Sequence, residues 1–62
     1  MPYKLIERKA TDNGWRFCVR MLRERAELNP AAIATSNDFV LEDCYGKVVE
    51  YRVNGFHNRA EH

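Results

Sequence analysis

The sequence predicts a small α+β domain of the order β-α-β-β, in which a three-stranded, mostly antiparallel sheet packs one amphipathic helix on one face. Three observations predict it. Apolar and polar residues alternate on both sides of a turn between Phe39 and Val53, as in a β-hairpin. Polar residues recur at helical spacing over residues 15–28. Residues 3–9 alternate in the manner of a short strand.

The composition indicates one small globular domain. The chain has 62 residues, of which 45% are hydrophobic and 31% charged, with a formal net charge of +1. We expect residues 1–56 to form the domain and residues 57–62 to form a flexible polar tail. No apolar run approaches the roughly 20 residues that cross a bilayer, and the N-terminal residues lack the apolar core of a secretion signal. The cytoplasm is therefore the expected compartment.

The first predicted strand covers residues 3–9. Tyr3 and Leu5 alternate with Lys4 and Ile6, and further charges follow them. Charged side chains discourage edge-to-edge pairing, so we expect this strand at an edge of the sheet. Residues 11–14 then form a turn or the entry to a helix.

Residues 15–28 carry both a strand pattern and a helix pattern. In a strand, the apolar residues Trp15, Phe17, Val19 and Met21 would alternate with polar ones, after a tight hairpin turn. In a helix, steps of about 100° per residue place the polar side chains in one arc. The helical pattern covers 14 residues and the alternating one about half as many. We therefore predict a helix, ended by Asn29 because a residue before proline avoids the helical region.

The hairpin between Phe39 and Val53 has a register that follows from its turn. Gly46 supplies the left-handed residue of a three-residue loop, Cys44-Tyr45-Gly46. The pairs expected on the helix side are Asp43–Lys47, Leu41–Val49 and Phe39–Tyr51. The pairs expected on the other side are Glu42–Val48, Val40–Glu50 and Asp38–Arg52. We expect residues 54–55 to end the last strand.

The outer face of this predicted sheet is the favoured functional surface. Ile6, Val40 and Val48 would form an apolar centre inside a charged border, which is typical of interaction surfaces. Tyr45 at the hairpin tip and Arg52 at the border complete the set. Isolated exposed valines are also common and without function. The expected partner is another protein or a second copy of this chain, since self-association would help so small a chain to fold.

A basic surface is the alternative. Arg16, Arg20 and Arg23 recur on the solvent side of the predicted helix, and Lys4 and Arg8 lie on the first strand. Such residues could contact nucleic-acid phosphates. Glutamates lie four residues beyond Arg20 and Arg23, however, and pairs of this kind neutralise each other within a helix. No DNA- or RNA-binding motif accompanies the basic residues, so a nucleic-acid partner is the second choice.

The sequence predicts no catalytic group, cofactor or metal. Cys18 and His57 are the one imaginable nucleophile and base, but Cys18 would lie on the apolar side of the helix and His57 in the tail. The two cysteines and two histidines lack metal-ligand spacing, and no phosphate-binding glycine motif is present. We therefore expect a non-catalytic interaction module, such as a small regulator, inhibitor or accessory protein.

Overall fold

The molecule is built on one antiparallel sheet. The computed structural model describes residues 2–34 and 36–60. The strands are β1 (Tyr3–Thr11), β2 (Gly14–Leu22), β3 (Asp38–Glu42), β4 (Val48–Val53) and β5 (Phe56–Arg59). They form one five-stranded sheet in the order β2-β1-β3-β4-β5, with each neighbouring pair antiparallel. The prediction of a three-stranded sheet with one packed amphipathic helix is therefore wrong.

Strand β2 replaces the first part of the helix predicted over residues 15–28. The chain turns at Asp12 and Asn13, and Gly14 adopts a φ of 127°, which glycine tolerates. From there to Leu22, every residue of β2 pairs with β1. Aromatic and β-branched side chains at alternate positions favour a strand, and in a helix they would point in several directions. Strand β1, expected at an edge, lies between β2 and β3.

The β3–β4 hairpin turns where the sequence predicts, but its register shifts beyond the turn. The Asp43 N–H donates to the Lys47 carbonyl at 2.8 Å, and Gly46 has a φ of 82°. Glu42 is paired with Val48, as expected. Val49 is then an extra residue without a partner in β3, which makes it a β-bulge.

This bulge changes which way the following residues of β4 point. The observed pairs are Leu41–Glu50, Val40–Tyr51 and Phe39–Arg52. The predicted pairs from Leu41 onward are therefore wrong by one residue. Because side chains alternate along a strand, the shift turns Tyr51 away from the core and turns Glu50 and Arg52 towards it.

A fifth strand occupies part of the segment that the sequence assigned to a polar tail. Asn54 and Gly55 both have positive φ, 52° and 85°, and form the two-residue turn typical of tight hairpins. Strand β5 then pairs with β4, with His57 opposite Arg52. Residues 57–59 thus belong to the sheet, whereas residues 61–62 lie outside the described residues.

One face of the sheet is covered by the connection between β2 and β3. We call this connection, residues 23–34 and 36–37, the crossover segment, and the face it covers the inner face. It contains two 3₁₀ helices, Arg25–Glu27 and Pro30–Ala32. Asn29 caps the second one by accepting a hydrogen bond from the Ala31 N–H at 3.2 Å. No described residue belongs to a helix long and apolar enough to cross a membrane.

The hydrophobic core lies between the inner face and the crossover segment. Its buried side chains are Leu5, Leu22, Leu28, Ile33, Phe39, Leu41 and Val49. Leu28 and Ile33 come from the crossover segment and the other five from the sheet. Each contributes roughly 1.5–3 kcal/mol on burial before the entropy of ordering the chain is subtracted. This single layer of contacts is the core of the molecule.

Candidate protein-binding surface

The opposite side of the sheet, which we call the outer face, is largely apolar, and most of its large apolar side chains are exposed. Cross-strand partners share a face, so the register assigns its members. Its apolar residues are Ile6, Ala10, Trp15, Phe17, Val19, Met21, Val40, Val48, Tyr51, Val53 and Phe56. Its charged residues are Lys4, Arg8, Asp38 and Glu42. No described residue of the crossover segment contributes a core side chain to this side, because Leu28 and Ile33 pack on the inner face.

A continuous apolar row crosses the middle of the outer face. Val19 pairs with Ile6, Ile6 with Val40, and Val40 with Tyr51. The row therefore spans four neighbouring strands, and Asn58 of β5 extends it as a polar end. Val19 is exposed, whereas Ile6, Val40 and Tyr51 are half-buried. Single exposed apolar residues are ordinary, and larger contiguous patches are typical of interaction surfaces.

Large side chains surround this row and remain in solvent. Trp15 is 58% exposed, Phe17 68% and Phe56 78%. Val19 and Met21 of β2 are exposed to a similar degree. Aromatic side chains are the commonest anchors of protein interfaces because they bury much area at little entropic cost. The outer face thus has the composition of a core without a covering layer.

Two pairs of opposite charge flank the apolar row, one on each side. On one side Arg8 Nη2 lies 2.9 Å from Asp38 Oδ2. The guanidinium of Arg8 also lies 4.2 Å from the centroid of the Trp15 ring, within cation–π distance. On the other side Lys4 is the cross-strand partner of Glu42. The four charges of the outer face sum to zero.

The outer face is too flat to enclose a small ligand. One depression has a volume of about 160 Å³ and is lined by Ile6, Arg8, Phe17, Asp38, Phe39 and Val40. A second has a volume of about 170 Å³ and is lined by Val48, Val49, Tyr51, Asn58 and Ala60. Pockets that bind ordinary small molecules have larger volumes, about 300–1,000 Å³. A broad apolar surface with little concavity instead fits a second macromolecular surface.

The residues expected to bind a partner are not all on this face. The structure places Ile6, Val40 and Val48 on the outer face. Tyr45 is 83% exposed in the β3–β4 turn, beyond the strands. Arg52 lies on the inner face, where it donates hydrogen bonds to carbonyls of the crossover segment. The placement of Arg52 at the outer border is therefore wrong, because the bulge turns it inward.

Sequence reasoning missed the largest contributors to the outer face. Trp15, Phe17, Val19 and Met21 lie side by side on β2, which the helix interpretation had directed into a core. The alternation at every second position was the signal that could have found them. Tyr51 was missed because no turn residue or charge in the sequence predicts the bulge at Val49.

The basic residues do not form a stripe. Arg16 and Arg20 lie on the inner-face side of β2, where their partners in β1 are Lys9 and Leu5. Lys4 and Arg8 point to the outer face, and Arg23 follows the end of β2. Because the helix that would have aligned these residues is absent from 15–22, the prediction of an arginine stripe on a helix is wrong.

The imagined pair of Cys18 and His57 is separated by the whole sheet. Both residues lie in one row on the inner side, but Cys18 is on edge strand β2 and His57 on edge strand β5. Four strand spacings of about 4.8 Å put them about 19 Å apart. Among the described residues, no three His, Cys, Asp or Glu side chains are grouped to hold a metal ion.

A buried carboxylate on the inner face belongs to the fold. Glu50 is 4% exposed, and its Oε2 lies 2.6 Å from His57 Nε2. Its Oε1 lies 3.8 Å from Arg25 and 4.0 Å from Arg59. Arg25 also donates to the carbonyls of Val49 and Ala60, both at 3.2 Å. These contacts join the first 3₁₀ helix to β4 and β5 and leave the carboxylate fully engaged.

Comparison of the chain with models of protein families, with curated proteins and with solved structures finds no match. The functional argument therefore depends on the geometry of the outer face.

Proposed function

We propose that this chain is a non-catalytic protein-binding module that docks a protein on the outer face of its sheet. The observation that supports it is the apolar row of Val19, Ile6, Val40 and Tyr51, which is half-buried apart from Val19, together with the exposed aromatic side chains around it. Domains normally bury both faces of an apolar sheet against a second layer. Here a partner would supply the second layer, and the module would act as a small regulator, inhibitor or accessory protein.

The energetics of the outer face suit protein association. Burial of apolar surface contributes about 25 cal/mol per Å², and the exposed rings of Trp15, Phe17 and Phe56 offer the most area. The Arg8–Asp38 pair lies next to the apolar row. Charges at the border of an interface set orientation and partner choice more than affinity. A nucleic acid would instead need unpaired basic groups on one surface.

A matched pair of lysine substitutions tests the proposal. Val19→Lys puts a charge into the apolar row at an exposed position of an edge strand, so the fold is retained while docking is lost. Ala31→Lys puts the same charge on the exposed surface of the crossover segment. Chemical cross-linking of tagged chains in cell extract should yield protein adducts with the Ala31→Lys variant and with the unchanged chain, but not with Val19→Lys.

Circular dichroism of the purified variants should show that both retain the sheet. Nuclease treatment of the extract removes adducts that depend on a nucleic acid. If Val19→Lys cross-links to the same proteins and in the same yield as Ala31→Lys, the outer face is not the docking surface.

A further inference from the structure

We propose that the protein docked on the outer face is a second copy of this chain, packed face to face. This inference depends on the proposed function, because it names the occupant of the same surface. The two copies would be related by a two-fold axis that lies in the interface, parallel to the strands, between β1 and β3. The dimer would then be a sandwich of two sheets, with a crossover segment covering each outside surface.

The charges of the outer face are complementary under this axis. A rotation about the strand direction exchanges β1 of one copy with β3 of the other and keeps each residue at its height along the strand. Arg8 then lies opposite the partner's Asp38. Within one chain, Asp38 is the cross-strand neighbour of Arg8. By the same rotation Lys4 lies opposite the partner's Glu42. All four contacts between charged residues of the central strands join opposite charges.

The apolar residues also face apolar residues under this axis. Ile6 lies opposite the partner's Val40, and β2 lies over the partner's β4, because these strands are equally distant from the axis. The remaining contacts of β2 follow from the rows of the sheet. They are Val19 with the partner's Tyr51, Phe17 with the partner's Val53, and Met21 with the partner's Val48.

The other simple face-to-face arrangement brings like charges together. In it the two-fold axis runs across the strands, along the row of Ile6 and Val40. Arg8 would then lie opposite the partner's Lys4, and Asp38 opposite the partner's Glu42. Like charges placed across an interface are strongly unfavourable. The charge pattern therefore selects the axis that runs along the strands.

The outer face offers a small area for a dimer. Under this axis β2, β1, β3 and β4 face the strands of the partner, whereas β5 has no counterpart. Four strands about 4.8 Å apart, each contributing about six residues of 3.3 Å, cover about 380 Å². Two copies together would bury about 760 Å², which places the dimer among small, weak interfaces. The face carries no net charge, so a second copy is not repelled by it. These features favour a self-complementary interface over one specialised for a charged partner.

Exchange of one charge pair tests the arrangement. Lys4 and Glu42 suit this test because they face each other on β1 and β3, and Lys4 is exposed. Sedimentation of the purified full chain should give twice the 7.3 kDa mass of one chain. Lys4→Glu alone and Glu42→Lys alone should each raise the dimer dissociation constant about tenfold or more, because each creates two like-charge contacts per dimer. The double variant should restore the dimer.

A mixing experiment separates contacts between chains from contacts within a chain. The unchanged chain and the double variant have the same composition, so one is labelled with ¹⁵N and the mixture is weighed by native mass spectrometry. Mixed dimers would place like charges opposite each other at every exchanged position. We expect them to fall well below the half share that random pairing produces, while both homodimers persist.

Three results would overturn the inference. The purified chain could sediment as a monomer, the single variants could dimerise as the unchanged chain does, or mixed dimers could reach half of the total. If the purified chain is a monomer and Val19→Lys still abolishes the cross-linking to other proteins, the proposed function holds with a different partner. A dimer insensitive to both Val19→Lys and the charge exchange would reject the outer face itself.

Discussion

At the scale of single residues, Arg52 joins the crossover segment to the sheet through one guanidinium group. The two N–H groups of its Nη2 are shared among three carbonyls, those of Ile33 at 3.2 Å, Ala34 at 2.7 Å and Asn37 at 3.2 Å. Its guanidinium carbon lies 5.4 Å from the centroid of the Phe39 ring. A planar group with several donors can serve carbonyls in different directions. The side chain therefore holds together the end of the only layer that covers the described sheet.

Loss of this guanidinium should destabilise the monomer. We expect Arg52→Ala to lower the free energy of unfolding by about 2–3 kcal/mol, because carbonyls of the crossover segment lose a charged donor. The matched control Arg16→Ala removes an exposed arginine from β2 and should change the stability by less than about 0.5 kcal/mol. Urea denaturation of both variants measures the difference. Equal effects would mean that Arg52 is not a structural residue.

At the scale of secondary structure, β2 and the bulge at Val49 decide what the outer face contains. β2 brings Trp15, Phe17 and two further apolar residues to one side, since it pairs along its whole length with β1. The bulge adds Tyr51 to the same side. Without it, regular alternation would put Glu50 there instead. Strand β2 and the bulge thus place their apolar side chains on the same surface.

The turn before β5 offers a test at this scale. Gly55 has a φ of 85°, and a Cβ atom there would have open space around it. Gly55→Val should therefore cost about 1–2 kcal/mol through backbone strain alone. We expect faster amide hydrogen exchange in β5, because this edge strand has its one partner in β4.

The matched control for this turn is Asn54→Gly. Asn54 has a φ of 52°, which glycine adopts without strain, so β5 should keep the exchange rates of the unchanged chain. If Gly55→Val also leaves those rates unaltered, the turn does not hold β5 in the sheet.

At the scale of the whole molecule, the described sheet has a covering layer on one face and eleven apolar residues on the other. The described residues extend over 37 × 20 × 19 Å. A chain of this size buries only about 60% of its unfolded surface, and here part of the apolar surface lies on the outer face. Association through that face would therefore add a second core to a molecule with a small first one.

Thermal unfolding should show whether folding of the chain is linked to its association. If folding is linked to dimerisation, the midpoint temperature rises with protein concentration, because dissociation accompanies unfolding. We expect the midpoint of the unchanged chain to rise over a hundredfold range of concentration, on the order of several degrees. The midpoint of Val19→Lys should stay constant. A constant midpoint in both proteins would show that the isolated chain unfolds as a monomer.

The sequence alone determined those features of the fold that depend on neighbouring residues in the chain. The turn between Asp43 and Lys47 needs only a glycine at positive φ and flanking strands. The outward position of Ile6, Val40 and Val48 follows from alternation within their own strands. These features depend on residues close together in the chain, whose backbone preferences act regardless of the rest of the molecule.

Tertiary structure alone decided the features that depend on distant residues. Residues 15–22 are compatible with a helix or a strand, and pairing with β1 selects the strand. The inward turn of Arg52 needs the bulge at Val49, whose side chain is buried in the core. The strand after Gly55 is ordered by its pairing with β4. At these positions nonlocal hydrogen bonds and burial decided among conformations that the local sequence allows, because their energies exist only when the strands meet.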